Sequence, residues 1–418
     1  MDHFRYVILG GGVTAGYAAK ELAELGLRTG ELCIVSKDDT LPYDRPPLSK
    51  DFLSTEMPPE GVLVNDENFY NQHGIDVRLS AEVNIVDLEK KLLHTTRDEQ
   101  IGFDKLVIAN GVRPRTFDLP GAAQKGIIYL RSLDDARGIR VQAQDTQNAV
   151  VIGGGYIGME VASQLQQRGL ETDLLVHGDR VMHKLFTPEM SAFFERYYKE
   201  RGVRLHKNAE PVSFSWNGRE SGVRLKNGDY LPAELIVAGL GVIPNTELFE
   251  GTGLMLDNGV VVNEYLETNI PNVYAAGDIA NYYDVLYETQ LRIEHWDNAV
   301  EQGQHIARIL TNRREPFVQV PYFFSDVFDL SWEFWGDPTG ATSMIRRGDI
   351  DSGSFSIWWL WSGRLIAAFV MNRSEDEREV APAWIRSQEQ VPLELLENSD
   401  LVLNAPYPAA GEARTRGA

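Results

Sequence analysis

Two stretches of the chain repeat one hydrophobic pattern. Tyr6-Val7-Ile8-Leu9 and Ala149-Val150-Val151-Ile152 are short, β-branched-rich apolar runs, and each enters a triple glycine, Gly10 to Gly12 and Gly153 to Gly155. A short continuous apolar run bounded by turn residues predicts a strand buried on both faces. Beyond each glycine turn a helical pattern follows, Tyr17 to Leu25 and Ile157 to Gln167, and each stops at a glycine, Gly26 and Gly169, as a helix C-terminus does. Another apolar run comes next, Leu32 to Val35 and Leu174 to Val176. The unit strand–glycine turn–helix–strand therefore occurs twice, about 140 residues apart, which predicts an α/β protein with two Rossmann-like dinucleotide-binding domains.

After each unit the pattern alternates and is rich in turns, at Val77 to His94 and at Val203 to Tyr230, the latter broken by Asn217-Gly218 and Asn227-Gly228. These stretches read as small β insertions. From about Pro321 the texture turns aromatic, with Phe323, Phe324, Phe328, Trp332, Phe334 and Trp335 followed by Trp358, Trp359 and Trp361. That stretch predicts a third, C-terminal α+β domain over 319–405. The last residues, 406–418, lack apolar periodicity and are expected to be a disordered tail.

Composition narrows the function. The chain has 418 residues, and 61 acidic against 40 basic side chains give a formal charge of −21. Such a surface repels phosphate backbones and anionic headgroups, so neither a nucleic-acid nor a membrane-surface partner is expected. No apolar run reaches the roughly 18 residues of a spanning helix. The N-terminus enters the strand at Tyr6 without a signal-peptide pattern, so a cytoplasmic protein is expected. A single cysteine, Cys33, excludes an internal disulfide, a Cys-x-x-Cys redox pair and a cysteine-rich metal site. No metal ligands are proposed.

The glycines carry the candidate chemistry. A Gly-x-Gly-x-x-Gly turn lets a pyrophosphate approach backbone N–H groups at the positive end of a helix. The first copy is Gly10, Gly12, then Ala15 with Gly16; the second, Gly153, Gly155 and Gly158, matches fully. An acid after the next strand recognises ribose hydroxyls. Asp38 is placed for this after the first copy, which fits the adenosine of FAD. After the second copy the strand ends Val176-His177-Gly178-Asp179-Arg180. No acid stands at its tip, whereas His177 and Arg180 suit a 2′-phosphate, so NADH or NADPH stays open, as does a merely solvated loop.

Gly10 to Ala19, Pro42-Tyr43-Asp44-Arg45-Pro46-Pro47-Leu48-Ser49-Lys50, Gly153 to Glu160, Gly239 to Pro244 and Tyr274-Ala275-Ala276-Gly277-Asp278 resemble the flavoprotein reductases with a glutathione-reductase-like fold. Within them, Leu185-Phe186-Thr187, Phe194 to Tyr198, Glu294-His295 and Phe328 to Trp332 are similar to the monodehydroascorbate reductase family. The resemblance runs to about residue 405. It implies a discontinuous FAD domain, 1–117 and 246–318, and an NAD(P)H domain, 118–245. It assigns to FAD Gly10, Gly12, Val13, Thr14, Ala15, Asp38, Arg45, Lys50, Val83, Ala109, Gly111, Arg131, Asp278 and Trp296. To NAD(P)H it assigns Gly153, Gly155, Tyr156, Ile157, Gly158, Glu160, His177, Arg180, Lys184, Gly241, Glu294 and His295. Lys50 resembles the lysine beside flavin N5, where a cation stabilises electron density, and Glu160 its ion-pair partner; these two are the catalytic candidates.

The chain also departs from that family. Where plant monodehydroascorbate reductases carry a substrate-attracting arginine, this sequence has Asp326. The family's stacking tyrosine corresponds to Trp358, and its ribose-reading acid to Gly178. Ser325-Asp326 and Asn298-Ala299 are instead similar to ferredoxin reductases of oxygenase systems and to apoptosis-inducing-factor-like proteins. Asp326 and Trp358 are the candidate substrate residues. The expected reaction is hydride transfer from NAD(P)H to flavin, then single-electron transfer to a small-molecule or small redox-protein acceptor. Monodehydroascorbate, a ferredoxin met by a basic patch at Arg313-Arg314 or Arg346-Arg347, and a slow redox-sensing role compete.

Overall fold

The computed structural model describes residues 2–124, 126–216, 221–399 and 401–403. The expected Asn217-Gly218 turn and the tail 406–418 lie outside them. The chain divides into two compact units, Met1–His177 with Gly202–Val318, and Gly178–Arg201 with Gln319–Ala418.

The first unit holds both repeats. Strand Asp2–Leu9 lies between Leu32–Val35 and Gln100–Ile108, parallel to both. Asp76–Arg78 continues the sheet on one side, and Val273–Ala275 pairs in parallel with Gln100–Ile108 on the other. Every residue from Tyr6 to Leu9 and from Leu32 to Val35 is buried, which is why these runs lack polar alternation. The second repeat builds an all-parallel sheet in the order Arg204–Lys207, Glu171–Val176, Asn148–Ile152, Leu235–Ala238, Ile127–Ile128. Helices Val13–Glu24 and Tyr156–Gln167 follow the two glycine turns. The expected insertions are antiparallel: Val83–Asp87 on Leu92–Thr95, and a meander of Pro211–Ser215, Gly222–Leu225 and Tyr230–Pro232. Gly228 makes the last turn at φ +96°.

Helix Trp296–Leu310 crosses helix Val13–Glu24 at backbone contact. A Cβ at Gly303 would stand 2.6 Å from Thr14 O, so only glycine permits this crossing. The aromatic stretch forms the second unit's antiparallel sheet, in the order Tyr322–Val327, Leu330–Gly336, Arg364–Met371, Ser354–Trp361, Ser343–Asp349. Its core stacks Phe186 on Phe194 at 5.0 Å, with Trp332 and Phe369 edge-on to Phe186. Fully buried Glu377 accepts from Arg347 at 3.0 Å and from Arg373 at 2.7 Å. Arg347 also donates to the carbonyls of Asn398 at 2.8 Å and Leu401 at 2.7 Å, pinning the C-terminal segment.

Candidate functional site

The glycine turns are sterically obligatory. Gly10 and Gly153 take φ of +124° and +130°, and a Cβ on either would lie 2.2 Å from Ala109 O or 2.4 Å from Gly239 O. At Gly158 a Cβ would meet Gly153 O at 1.9 Å. Gly12 and Gly155 are the N-caps of their helices, with no side-chain cap and no acid in the first turn. Asp66, Ser132 and Thr187, by contrast, cap the helices that follow them. Both nucleotide-turn helices thus keep their first N–H groups and positive dipole ends for another acceptor. Val13, Thr14 and Ala15 are buried in the first such turn, and Ile157 lies in the second.

Two cations converge on the first turn. Arg45 Nη2 stands 3.8 Å from the place of a Gly12 Cβ, and Arg131 Nη2 3.2 Å from that of a Gly111 Cβ. Gly111 itself turns at φ +61°. The Nε atoms of Arg45 and Arg131 are buried and make no hydrogen bond among the described residues. Burial, then the like charge of Arg131, pushes the Arg45 guanidinium down to about 10. Two crowded guanidiniums with orphaned donors call for an anion larger than the Asp278 carboxylate, which takes Arg131 Nη2 at 3.0 Å. Asp38 accepts from Tyr43 Oη at 3.0 Å and from the Thr40 N–H at 3.3 Å. Val83 opens its strand half-buried, and buried Ala109 donates its N–H to Leu9 O.

Sequence reasoning missed the side chains that hold this turn. Gly277, at φ +80°, presents Asp278 and donates its N–H to Oε1 of fully buried Gln302 at 2.7 Å. Arg292 donates to Asp278 O at 3.1 Å and to Glu294 Oε1 at 2.7 Å. No motif marks Gln302; its helical spacing from Asn298 was the available signal.

Around the two catalytic candidates the structure is tightly built. Lys50 Nζ lies 3.7 Å from Glu160 Oε1, and Ser49 Oγ donates to Glu160 Oε2 at 2.5 Å. Tyr156 stands one turn before Glu160, its ring centroid 6.3 Å from that of His295. Burial, with Glu160 and Glu294 adding to it, raises the Tyr156 phenol. Burial holds the His295 imidazole down at about 4 against the pull of Asp278, so it is neutral at physiological pH. Trp296 Nε1 donates to Asp44 Oδ1 at 2.6 Å and sits edge-on to Tyr17.

At the tip of the second repeat's strand, His177 is exposed. Arg180 pairs with Asp179 at 3.5 Å and donates to His183 O at 3.1 Å, and Lys184 is exposed. Gly241 turns at φ +82° with open space where a Cβ would go.

In the second unit, Asp326 lies on the edge strand, half-buried and on the opposite face from fully buried Ser325. Trp358 requires a correction. It is fully buried, donates to Ser356 Oγ at 2.8 Å and lies 6.0 Å from the Trp384 ring. A stacking platform needs an open ring face, which a core residue lacks. The basic patches also change. Arg347 is consumed by Glu377 and backbone carbonyls, Arg346 faces Glu189 at 3.4 Å, and Arg314 pairs with Glu267 at 2.9 Å.

Two glycine-turn nucleotide folds, orphaned cations beside one and a buried lysine–glutamate pair between them define a two-dinucleotide flavoprotein reductase. The family described as pyridine nucleotide-disulphide oxidoreductase matches residues 4–303, and the chain belongs to it. The C-terminal domain of monodehydroascorbate reductase 3-like proteins matches residues 320–403. The chain is 37% identical to peroxisomal monodehydroascorbate reductase 4 of Arabidopsis thaliana, over 94% of this chain and 84% of that one. It is 35% identical to the seedling isozyme of Cucumis sativus, over 96% and 97%. Among solved structures it is similar to the ferredoxin reductase for the CYP199A2 system from Rhodopseudomonas palustris, at TM-score 0.89, 31% identity and coverage of 95% and 98%. The covalent putidaredoxin reductase–putidaredoxin complex matches at TM-score 0.89 and 31% identity, covering 95% and 96%. The chain is an FAD-dependent NAD(P)H oxidoreductase. Thiol–disulfide exchange needs an accessible thiolate, and the one cysteine of the chain, Cys33, is buried with its thiol pushed up to about 12 by burial.

Proposed function

We propose that the chain reduces monodehydroascorbate with electrons from NAD(P)H. The observation that carries this reading is the match of both the body and the C-terminal domain to monodehydroascorbate reductases over nearly the whole chain. The division into FAD domain 1–117 with 246–318, NAD(P)H domain 118–245 and C-terminal domain 319–405 belongs to the same proposal, as does a cytoplasmic location. Among the described residues no helix is long and apolar enough to cross a membrane.

The residues present fit FAD. The uncapped turn at Gly12 and the unpartnered Nε atoms of Arg45 and Arg131 suit its pyrophosphate. Asp38 suits the ribose and Asp278 the ribityl chain, with Lys50 at the ring. FAD supplies the two-electron to one-electron conversion between a nicotinamide and a radical acceptor. The protein's part is to place it: Arg45 and Arg131 fix the phosphates, Gln302 holds the Asp278 turn, and neutral His295 adds no charge beside Tyr156. The Gly155 turn takes the nicotinamide dinucleotide, and the acid-free tip at His177 and Gly178 admits NADPH as well as NADH.

A second reading, ferredoxin reduction, is favoured by the likeness to the putidaredoxin reductase complex. An acidic ferredoxin would need a basic face; of the expected patches Arg347 is buried on Glu377, whereas Arg313 is exposed and Arg314 and Arg346 stand exposed beside Glu267 and Glu189. Steady-state turnover decides between the two. Fast oxidation of NADH or NADPH with ascorbate plus ascorbate oxidase is expected. Rapid turnover with a ferredoxin and none with monodehydroascorbate would reverse the order. An oxidised-flavin absorption that neither NADH nor NADPH bleaches would overturn both readings.

A further inference from the structure

The dipeptide Ser49-Lys50 closes on both oxygens of one carboxylate. Ser49 Oγ donates to Glu160 Oε2 at 2.5 Å, while Lys50 Nζ stands 3.7 Å from Oε1. Ser49, Lys50 and Glu160 are 6%, 7% and 3% exposed. The hydroxyl contact is a strong charge-assisted hydrogen bond. The ammonium contact is an ion pair longer than a hydrogen bond. Ser49 ends the short 3-10 helix Pro46–Ser49, opened by two prolines, and Glu160 lies in helix Tyr156–Gln167. Proline rings fix the backbone on which the serine stands. The last torsion of a glutamate is broad and soft, so the Ser49 hydrogen bond to Oε2 helps set which way this carboxylate faces.

We propose that Ser49 is a positioning residue for Lys50. By holding Oε2 it keeps Glu160 from turning both oxygens onto the ammonium, and so leaves the lysine's charge available to the flavin. The inference rests on the proposed place of Lys50 beside the ring. In a site of low dielectric, a small displacement of a cation changes how much of its field reaches a neighbour. Without the hydroxyl, buried Oε2 loses its short donor, which is costly. The adjacent cation is Lys50, and the carboxylate turns to it. The ammonium is then drawn into the pair with Glu160, and the electron-rich reduced ring loses support.

The test is the midpoint potential of the FAD in the purified holoenzyme, titrated against a reference dye. S49A is expected to lower it, by about tenfold in the equilibrium constant for two-electron reduction, or about 30 mV. S49T, which keeps the hydroxyl, is expected at the native value. In an E160Q background S49A should add no shift, because a neutral amide cannot draw Lys50 away. The inference is overturned if S49A retains native flavin content and melting temperature with an unmoved potential. It is equally overturned if S49T falls as far as S49A, or if S49A shifts the potential as much in the E160Q background as in the native one. A native enzyme that NAD(P)H does not reduce would instead sink the cofactor reading. One that is reduced normally, with S49A silent, sinks the Ser49 inference alone.

Discussion

At the scale of single residues, burial decides which reactive-looking side chains are reactive. Cys33 lies in the middle of strand Leu32–Val35, fully buried. Burial disfavours the thiolate, then the carboxylate of Asp76 adds to the effect, and the thiol rises to about 12. The thiolate is the nucleophile. A thiol-specific disulfide reagent should therefore leave the native protein unlabelled and modify one thiol after denaturation. C33S should keep native turnover, since electrons leave the flavin without a cysteine. Labelling of the folded enzyme, or loss of turnover in C33S, would overturn this account. The same scale separates Trp358 from Asp326: the family resemblance implies a substrate role for both, and only the structure shows that the tryptophan is core.

At the scale of elements, the glycine turns were legible and the helix crossing was not. Gly10, Gly153 and Gly158 announce themselves because a strand–turn–helix leaves a local pattern in the chain. Gly303 sits inside helix Trp296–Leu310 with nothing local to mark it. Its reason lies 289 positions away, at the backbone of Thr14. The same limit hid Gln302, whose partner is the Gly277 N–H, and Ser49, whose partner is Glu160. Gly303→Ala supplies the test. The new methyl would lie 2.6 Å from Thr14 O, a backbone atom that moves only with its helix. Overpacking of this kind costs about 1–3 kcal/mol. Chemical unfolding should report that loss, and FAD should leave the variant faster on dilution, because Thr14 stands in the first turn after Gly12. Unchanged stability and unchanged flavin release would show that the crossing gives more easily than the geometry implies.

At the scale of the whole molecule, the charge of −21 acts on every charged acceptor before contact. Monodehydroascorbate is anionic, so the field opposes its approach, and Asp326 adds to that field on the edge strand. Salt shortens the reach of such repulsion, from about 30 Å at 0.01 M to about 8 Å at 0.15 M. The kcat/KM for monodehydroascorbate should therefore rise across that range, whereas a cationic acceptor should be reduced more slowly as salt is added. Flavin reduction measured separately in a rapid-mixing experiment shows how much of the slope belongs to the nicotinamide half-reaction, since NAD(P)H is also an anion. D326R divides the remainder between local and global charge. If Asp326 lies on the acceptor's path, D326R should raise kcat/KM several-fold at low salt and flatten the slope. A D326R enzyme with the native slope would place the acceptor's approach elsewhere on the molecule, and a native enzyme slowed by salt would show that local cations, and not the net charge, govern the anion's approach.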